Sequence, residues 1–585
     1  MSVFAAQFVT DLDSDGVQDV LAVHGGDPLS DPAHHNMYGR LILFSGADGR
    51  LLRWVATPDR RESYYPPQVM TGQDGSQVVI FATGGNMNSG ALYAVSLLDL
   101  YRKNINMTRL VYRDYAKGIL SPALLVDVTG DGLEDIVVAS INANVMAFDG
   151  SNFKCIWNKT LANFESITSI TAGLFNEDDI PDIMVKYNYG DKFPVYEYQQ
   201  SLVLSGHNGS EISSVSLDSL PTLSSPLTLS MSGSGHDMFL HWSSNCAGHA
   251  GEKLFYDFRA DTRVHEQSRA DVCREMFNSP TLARLSAVSS SLQQHEIYNS
   301  TFWYSFEHAG AINTSRLADQ YLANHPEIMK SMEDRESEDE YSVLPYRRKN
   351  FDDALKLLEE EMAREYGDGR PFIDPGSSAY ENFDYGEGLD NESNESPGGG
   401  PVYGQQVMAP PEYDTGRRRK RQTGEGGKWA GLSRQTGTGS LAPSLLLSND
   451  TIDIIFPTHW IYPPKVDVLQ KQDVDCIANK LKRNSNKNLK LSEVESQELI
   501  AQIEEECLKS SGHFSKQDVI YETPSDYDPL SINMGQLIVY RFTLRCKCDP
   551  SKLGWGQTCA NILPYSQQGW PAYMGRLGDS VYRRR

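Results

Sequence analysis

No run of about eighteen apolar residues able to span a bilayer occurs in the 585-residue chain, and no signal-peptide pattern follows Met1. Basic residues are the scarcer charge. The chain holds 53 Lys and Arg against 77 Asp and Glu, and the net charge of −24 leaves no general surface for nucleic-acid phosphates. Catalytic signatures are missing too: there is no H-E-x-x-H and no G-x-S-x-G, and "GEGGKW" (424–429) is no P-loop, because it follows no strand and places Trp429 after the lysine. Cysteine is sparse. Cys155, Cys246, Cys273, Cys476, Cys507, Cys546, Cys548 and Cys559 are dispersed except for the last three, a distribution that suits disulfides better than a zinc site and leaves their pairing open.

What the chain does contain is an acidic segment, "DLDSDGVQD" (11–19), set between the apolar runs "AAQFV" and "DVLAV". "FVTDLDSDGVQDVLAV" (8–23) aligns without a gap on "LLVDVTGDGLEDIVVA" (124–139), and weaker copies begin at 172 ("AGLFNEDDIPDIMVK"), 229 ("LSMSGSGHDMFLH") and 445 ("LLLSNDTIDIIFP"). In each, one Asp precedes a mostly apolar triplet: Asp19, Asp135, Asp182, Asp237 and Asp453, with Gln77 in the slot between the first two. From Asp19 to Gln77, Asp135, Asp182 and Asp237 the intervals are 58, 58, 47 and 55 residues, the period of a propeller blade. A second tile recurs downstream as "LILFSGADGRLLRW" (41–54), "VMAFDGSNFKCIW" (145–157) and "LVLSGHNGSEISSV" (202–215), each a β-rich run broken by turn residues. One unit therefore holds about four strands and must stack on its neighbours to cover both faces.

In D-x-D-x-D-G-x-x-D the carboxylates at positions 1, 3, 5 and 9 can converge on one hard cation. The carbonyl of position 7 adds an oxygen, and glycine at position 6 allows the sharp turn. Oxygen-only ligands favour Ca²⁺. An EF-hand starts alike but needs a bidentate Glu at position 12 and flanking helices, whereas position 12 here is Ala22 or Val138 and the flanks read as strands.

These turns and their period resemble the FG-GAP repeats of the integrin α-subunit N-terminal β-propeller, over about half of the chain. The resemblance implies Ca²⁺ sites in the turns between blade strands, with ligand recognition on the opposite face. It assigns the first site to Asp11, Asp13, Asp15, the Val17 carbonyl and Asp19, and the second to Asp127, Thr129, Asp131, the Leu133 carbonyl and Asp135. Thr129 weakens the second. The third copy has Leu174 at position 1 and Asp179 in place of the glycine, so no tight metal is expected there. The overall likeness is greatest to single-pass type II membrane proteins of the "family with sequence similarity" series with an FG-GAP propeller ectodomain.

Eight glycosylation sequons, at Asn106, Asn158, Asn208, Asn299, Asn313, Asn391, Asn394 and Asn449, favour the secretory pathway. A chain without its own entry signal is then expected to be an ectodomain whose signal or anchor lies upstream of Met1. From 325 to 445 the sequence turns polar and low in complexity ("SMEDRESEDEYSV", "DNESNESPGGGP") and reads as a disordered insertion, with one helical spacing at 350–367. Within it "RRRKR" (417–421) fits a furin-like cleavage site at Arg418, Arg419, Lys420 and Arg421. Segment 491–512 opens with the capping pair Ser492 and Glu495 and predicts a helix; "GQLIVYRFTLRC" (535–546) predicts a returning strand; the last three cysteines predict a disulfide-tied tail. His24, His34 and His35 share a loop with Asp27 and Asp31 and read as solvated residues rather than a metal cluster.

The expectation is an all-β propeller of six or seven four-stranded blades. Blades occupy 1–324, the insertion 325–445, and the final blade, a helix and the tail 446–585. It would act as a non-enzymatic, Ca²⁺-bearing extracellular or luminal module that binds protein partners; a structural subunit of a membrane complex and a quinone-dependent propeller enzyme are the rivals.

Overall fold

The computed structural model describes residues 3–25, 39–300, 433–485, 493–511, 536–546, 560–570 and 577–583, with short interruptions. Within them six antiparallel sheets of four or five strands follow one another along the chain, and a two-stranded antiparallel sheet pairs Tyr256–Phe258 with Val468–Gln470. The first is Val3–Val9, Asp19–His24, Arg40–Phe44 and Leu51–Ala56. The second is Gln68–Thr71, Gln77–Ala82, Gly90–Ser96 and Arg109–Asp114, and the third Leu124–Val126, Asp135–Ala139, Asn144–Phe148 and Cys155–Thr160. In the fourth, Phe164–Glu165 and Thr171–Gly173 share one edge of Asp182–Tyr189, followed by Tyr198–Leu204 and Glu211–Ser219. Leu227–Leu229, Met238–Cys246, Thr281–Val288 and His295–Asn299 form the fifth. The sixth sets Ser433–Thr436 and Ser440–Pro443 on one edge of Thr451–Ile461 and Gln536–Arg545 on the other.

Strand composition explains the stacking. Second strands such as "DIVVA" (135–139) are buried at every position, which only a sheet covered on both faces permits, whereas the fourth strand Cys155–Thr160 is mostly exposed. Apolar layers join consecutive sheets: Leu21, Leu43, Phe81 and Tyr93 between the first and second, Ile80, Leu92, Ile136 and Phe148 between the second and third. Val137, Val145, Val185 and Leu204 join the third to the fourth, Phe175, Met184 and Phe239 the fourth to the fifth, and Leu240, Trp242, Ile454 and Phe456 the fifth to the sixth. Serial meanders packed face to face in chain order make a β-propeller.

The C-terminal residues tie three of these sheets together. Gln7 donates to the Gly578 carbonyl in the first sheet, Leu125 N donates to Ser580 O (2.9 Å) and Tyr582 N to Leu125 O (2.8 Å) in the third. Tyr582 Oη reaches Asp237 Oδ2 of the fifth (2.7 Å).

Five expectations change. The last sheet begins at Ser433, ahead of the boundary at 446: "SRQTGTGS" lacks strand periodicity because Gly437 and Gly439 bend the edge around Pro457 and Phe456. The expected helix is present as Glu493–Ser511, but a second, Lys471–Ser485, precedes it, with Val474, Ile477 and Leu481 at helical spacing. Disulfides are local, Cys246–Cys273 and Cys476–Cys507, and none joins Cys246 or Cys273 to the later cysteines. Cys155 and Cys546 are free thiols among the described residues, so Cys546 takes no part in the expected tail disulfide, and His24, expected in a solvated loop, is buried at the end of the strand Asp19–His24. The helical spacing at 350–367, the basic run at 417–421, His34, His35, Asp27, Asp31, Cys548 and Cys559 lie outside the described residues. No helix among those described is long and apolar enough to cross a membrane.

Candidate metal centre

The first acidic turn joins the first two strands of the first sheet, where Val9 pairs with Asp19. Asp11 organises it: its Oδ1 accepts from Ser14 N (2.6 Å) and its Oδ2 from Gly16 N (2.8 Å). Those bonds, the Gly16 one foremost, hold its carboxyl below the usual carboxylate range. Ser14 (φ 65°) and Gly16 (φ 89°) take the left-handed backbone that the turn requires.

One oxygen each of Asp11, Asp13 and Asp15 lies within 4.8 Å of the others. The Asp13 side chain is 9% exposed, and its Oδ2 meets Arg50 Nη2 at 2.7 Å. Its Oδ1 is buried and has no hydrogen-bond partner among the described residues. Burial, followed by the neighbouring charges of Asp15 and Asp19, pushes the Asp13 carboxyl above its ordinary range. An orphaned carboxylate oxygen among converging carboxylates fits a hard cation, and one positive guanidinium cannot satisfy three acids.

Asp19 has a different task. Its Oδ2 accepts from Leu12 N (2.7 Å) and its Oδ1 from Gly46 N (3.2 Å), and it is fully buried. Val17 N donates to Asp15 Oδ1 (2.9 Å), while Ser45 Oγ donates to Asp15 Oδ2 (3.1 Å) from the following hairpin.

The second turn repeats the scaffold with fewer acids. Asp127 accepts from Gly130 N (2.6 Å) and Gly132 N (2.9 Å), and Leu133 N donates to Asp131 Oδ1 (2.8 Å). Thr129 Oγ1 lies at 3.5 Å from Asp127 Oδ1, the limit of a bond, and Asp135 Oδ2 accepts from Val128 N (3.0 Å) and Thr129 N (2.9 Å). In the third copy Asp179 stands at the left-handed position (φ 63°) and Asp182 bonds Asn176 N (3.1 Å).

Sequence reading missed the partner of the repeated Asp. Asp19, Asp135 and Asp182 each accept from the backbone N–H of a hairpin glycine: Gly46, Gly150 (2.9 Å) and Gly206 (3.3 Å). A Cβ on any of the three would stand 1.8–1.9 Å from the carbonyl oxygen of Gln18, Glu134 or Pro181, the residue just before the Asp. Only glycine fits. The signal was present in the recurring tile, where "SG", "DG" and "SG" occupy the same place. Later sheets replace the glycine with side chains: Asp453 takes Arg541 Nε (2.5 Å) and Thr543 Oγ1 (2.7 Å).

Of the sequons, Asn106, Asn158 and Asn208 are exposed. Asn299 is 8% exposed and its Nδ2 donates to Glu296, so the folded chain offers no accessible amide there. Asn313, Asn391, Asn394 and Asn449 lie outside the described residues, as do Arg418, Arg419, Lys420 and Arg421.

No family model matches the chain, and no curated protein does. Among solved structures it is similar to Sqt1 of Saccharomyces cerevisiae, at 9% identity and a TM-score of 0.29, over 51% of this chain and 62% of that one. It is also similar to BamB of Moraxella catarrhalis, at 13% identity and a TM-score of 0.23, over 48% and 72%. The chain thus spans less than two thirds of the length of Sqt1.

Proposed function

We propose that the chain is a non-enzymatic, FG-GAP-type β-propeller ectodomain that binds Ca²⁺ at its first acidic turn and meets protein partners outside the cytosol, held to a membrane. The observation that carries this reading is the convergence of Asp11, Asp13 and Asp15 around the orphaned Asp13 oxygen. Asp11, Asp13 and Asp15 would hold the ion, with the Val17 carbonyl and Asp19 as the further ligands implied by the family pattern; Asp127 and Asp131 form the weaker second turn. Ca²⁺ would neutralise mutual repulsion and fix the turn, a stiffening role rather than a chemical one. Two disulfides and three exposed sequon asparagines support an oxidising compartment.

The test has two arms. Secreted behind a signal sequence, the purified chain should melt several degrees lower in chelator than in millimolar Ca²⁺, and glycosidase should increase its mobility. Displayed on cells, it should cross-link one or a few surface proteins reproducibly. Identical melting curves would remove the metal, and a free cytosolic chain with reduced Cys246 and Cys476 would remove the compartment.

A further inference from the structure

Residues 578–582 reach three sheets that are not consecutive in the fold. The Gly578 carbonyl accepts from Gln7 in the first sheet, Ser580 and Tyr582 bond Leu125 in the third, and the Tyr582 hydroxyl bonds Asp237 in the fifth. Fully extended, the backbone from Gly578 to Tyr582 spans only about 14 Å. Alternate blades of a propeller come so close only where their first strands converge on the central channel, and Gln7 and Leu125 both lie on first strands. The segment therefore crosses the axis. It crosses at the acidic-turn end, since Gln7 stands four residues before Asp11, Leu125 two before Asp127, and Asp237 directly before the strand Met238–Cys246.

Burial anchors the crossing too. Val581 (6% exposed) forms a parallel bridge with Leu125 and joins the apolar layer between the second and third sheets, while the Tyr582 ring (7% exposed) joins the layer between the third and fourth. Gly578 (φ 65°) and Ser580 (φ 60°) take left-handed backbone at the bend, and Arg583 pairs with Asp579 across it. What the crossing supplies is clearest at Asp237. Asp19, Asp135 and Asp182 each take a hairpin glycine N–H, whereas Asp237 accepts from Met231 N (3.2 Å) in its own turn, from Leu174 N (3.0 Å) in the turn of the fourth sheet and from the Tyr582 hydroxyl (2.7 Å). Withdrawing that hydroxyl would leave a buried carboxylate one charge-assisted bond short. Each sheet draws its strands from one stretch of the chain, and among the described residues no strand of the first sheet is shared with the sixth. Among those residues, strand exchange does not hold the first sheet to the later ones.

From these features we infer that residues 577–583 act as a strap that locks the propeller across its axis, with the Tyr582 hydroxyl on Asp237 as its catch. The lock couples the first sheet to the fifth, so loosening either end is felt at the other. The test is amide hydrogen exchange on the whole chain, read by mass spectrometry of its peptides. Tyr582→Phe keeps the buried ring and removes the catch. Exchange should speed up by about tenfold or more in Leu124–Val126 of the third sheet and Val3–Val9 of the first, as well as around Asp237. The strand Arg40–Phe44, to which the strap makes no bond, should stay unchanged. Asp237→Asn should have the same effect, and combining it with Tyr582→Phe should add little, because both changes open one catch. Gln7→Ala loosens the strap from the other side and should speed exchange at Leu174 and Met231, whose N–H groups bond Asp237. If Asp237→Asn fails to fold, the other two variants decide the matter. Acceleration confined to the fifth sheet in Tyr582→Phe, acceleration confined to the first sheet in Gln7→Ala, or none in either, overturns the inference.

Discussion

Asp19 in the first sheet and Asp182 in the fourth make the same pair of bonds, one to the backbone of their own turn and one to the glycine of the following hairpin. The turns leading to them share little else. The first places Asp11, Asp13 and Asp15 where the fourth has Leu174, Asn176 and Asp178. Two tasks that look like one motif are therefore separable: the ninth residue clasps strand to hairpin, and positions 1, 3 and 5 decide whether the turn attracts a cation. Asp135, with an intermediate turn, keeps the clasp and only part of the acidic set.

The largest effect should come from breaking the clasp. A Cβ at Gly150 would meet the Glu134 carbonyl oxygen at 1.8 Å and Met70 Cε at 2.9 Å, contacts that backbone cannot relieve cheaply. Gly150→Ala should cost about 3 kcal/mol or more, read as a lowered urea midpoint. Gly130→Ala serves as the comparison: φ is +76° but nothing stands within 4 Å, so its cost should be about 1 kcal/mol. Similar losses for the two would show that the hairpin glycine is not the partner that matters.

A smaller effect concerns pH. Burial raises the Asp182 carboxyl to about 7 from an ordinary 3.8. The folded chain then holds a proton that the unfolded chain releases between about pH 4 and 7, so this group's contribution to stability declines as pH rises through that window. Asp182→Asn should destabilise throughout, since an amide cannot accept from both Asn176 N and Gly206 N, and should abolish that decline. Urea midpoints for the two chains that run parallel from pH 4 to 7 would refute the assignment.

Much of the fold was legible because period and polarity agree. Asp slots every 47–58 residues mark the second strands, and the uninterrupted apolar triplets after them reflect sheets covered on both faces. Less of the site was legible, because its geometry depends on groups distant in sequence. Ser45 and Arg50 reach the first turn from the next hairpin, and the Asp–glycine clasp joins residues 15 to 27 positions apart. The hairpin glycine does recur in the tile, but nothing local ties it to the Asp. The helix Lys471–Ser485 hides for another reason: Val474, Ile477 and Leu481 keep helical spacing, but the charged and amide side chains crowding "KQDVDCIANKLKRNS" mask so narrow an apolar stripe.

The smallest effect separates the two turns directly. If positions 1, 3 and 5 confer cation binding, removing Ca²⁺ should lower the melting temperature by only a few degrees in a chain of this size, because one ion stabilises the native state by its occupancy alone. Asp13→Asn should erase most of that difference: it removes the orphaned acidic oxygen while Asp11 keeps its bonds to Ser14 N and Gly16 N. The fourth turn offers the reciprocal change. Leu174 is half-buried, Asn176 already faces Asp178 at 2.9 Å, and Asp179 occupies the left-handed position where the first turn has Gly16. In an Asp13→Asn background, adding Leu174→Asp, Asn176→Asp and Asp179→Gly should restore a calcium-dependent melting shift, now lodged in the fourth sheet, while Asp182 keeps its clasp to Gly206. Terbium luminescence reports occupancy independently of stability. Calcium dependence unchanged by Asp13→Asn would move the ion away from the first turn, and a grafted turn that binds no terbium would show that three acids on this scaffold are insufficient, since Ser205 already stands where Ser45 does beside the first turn.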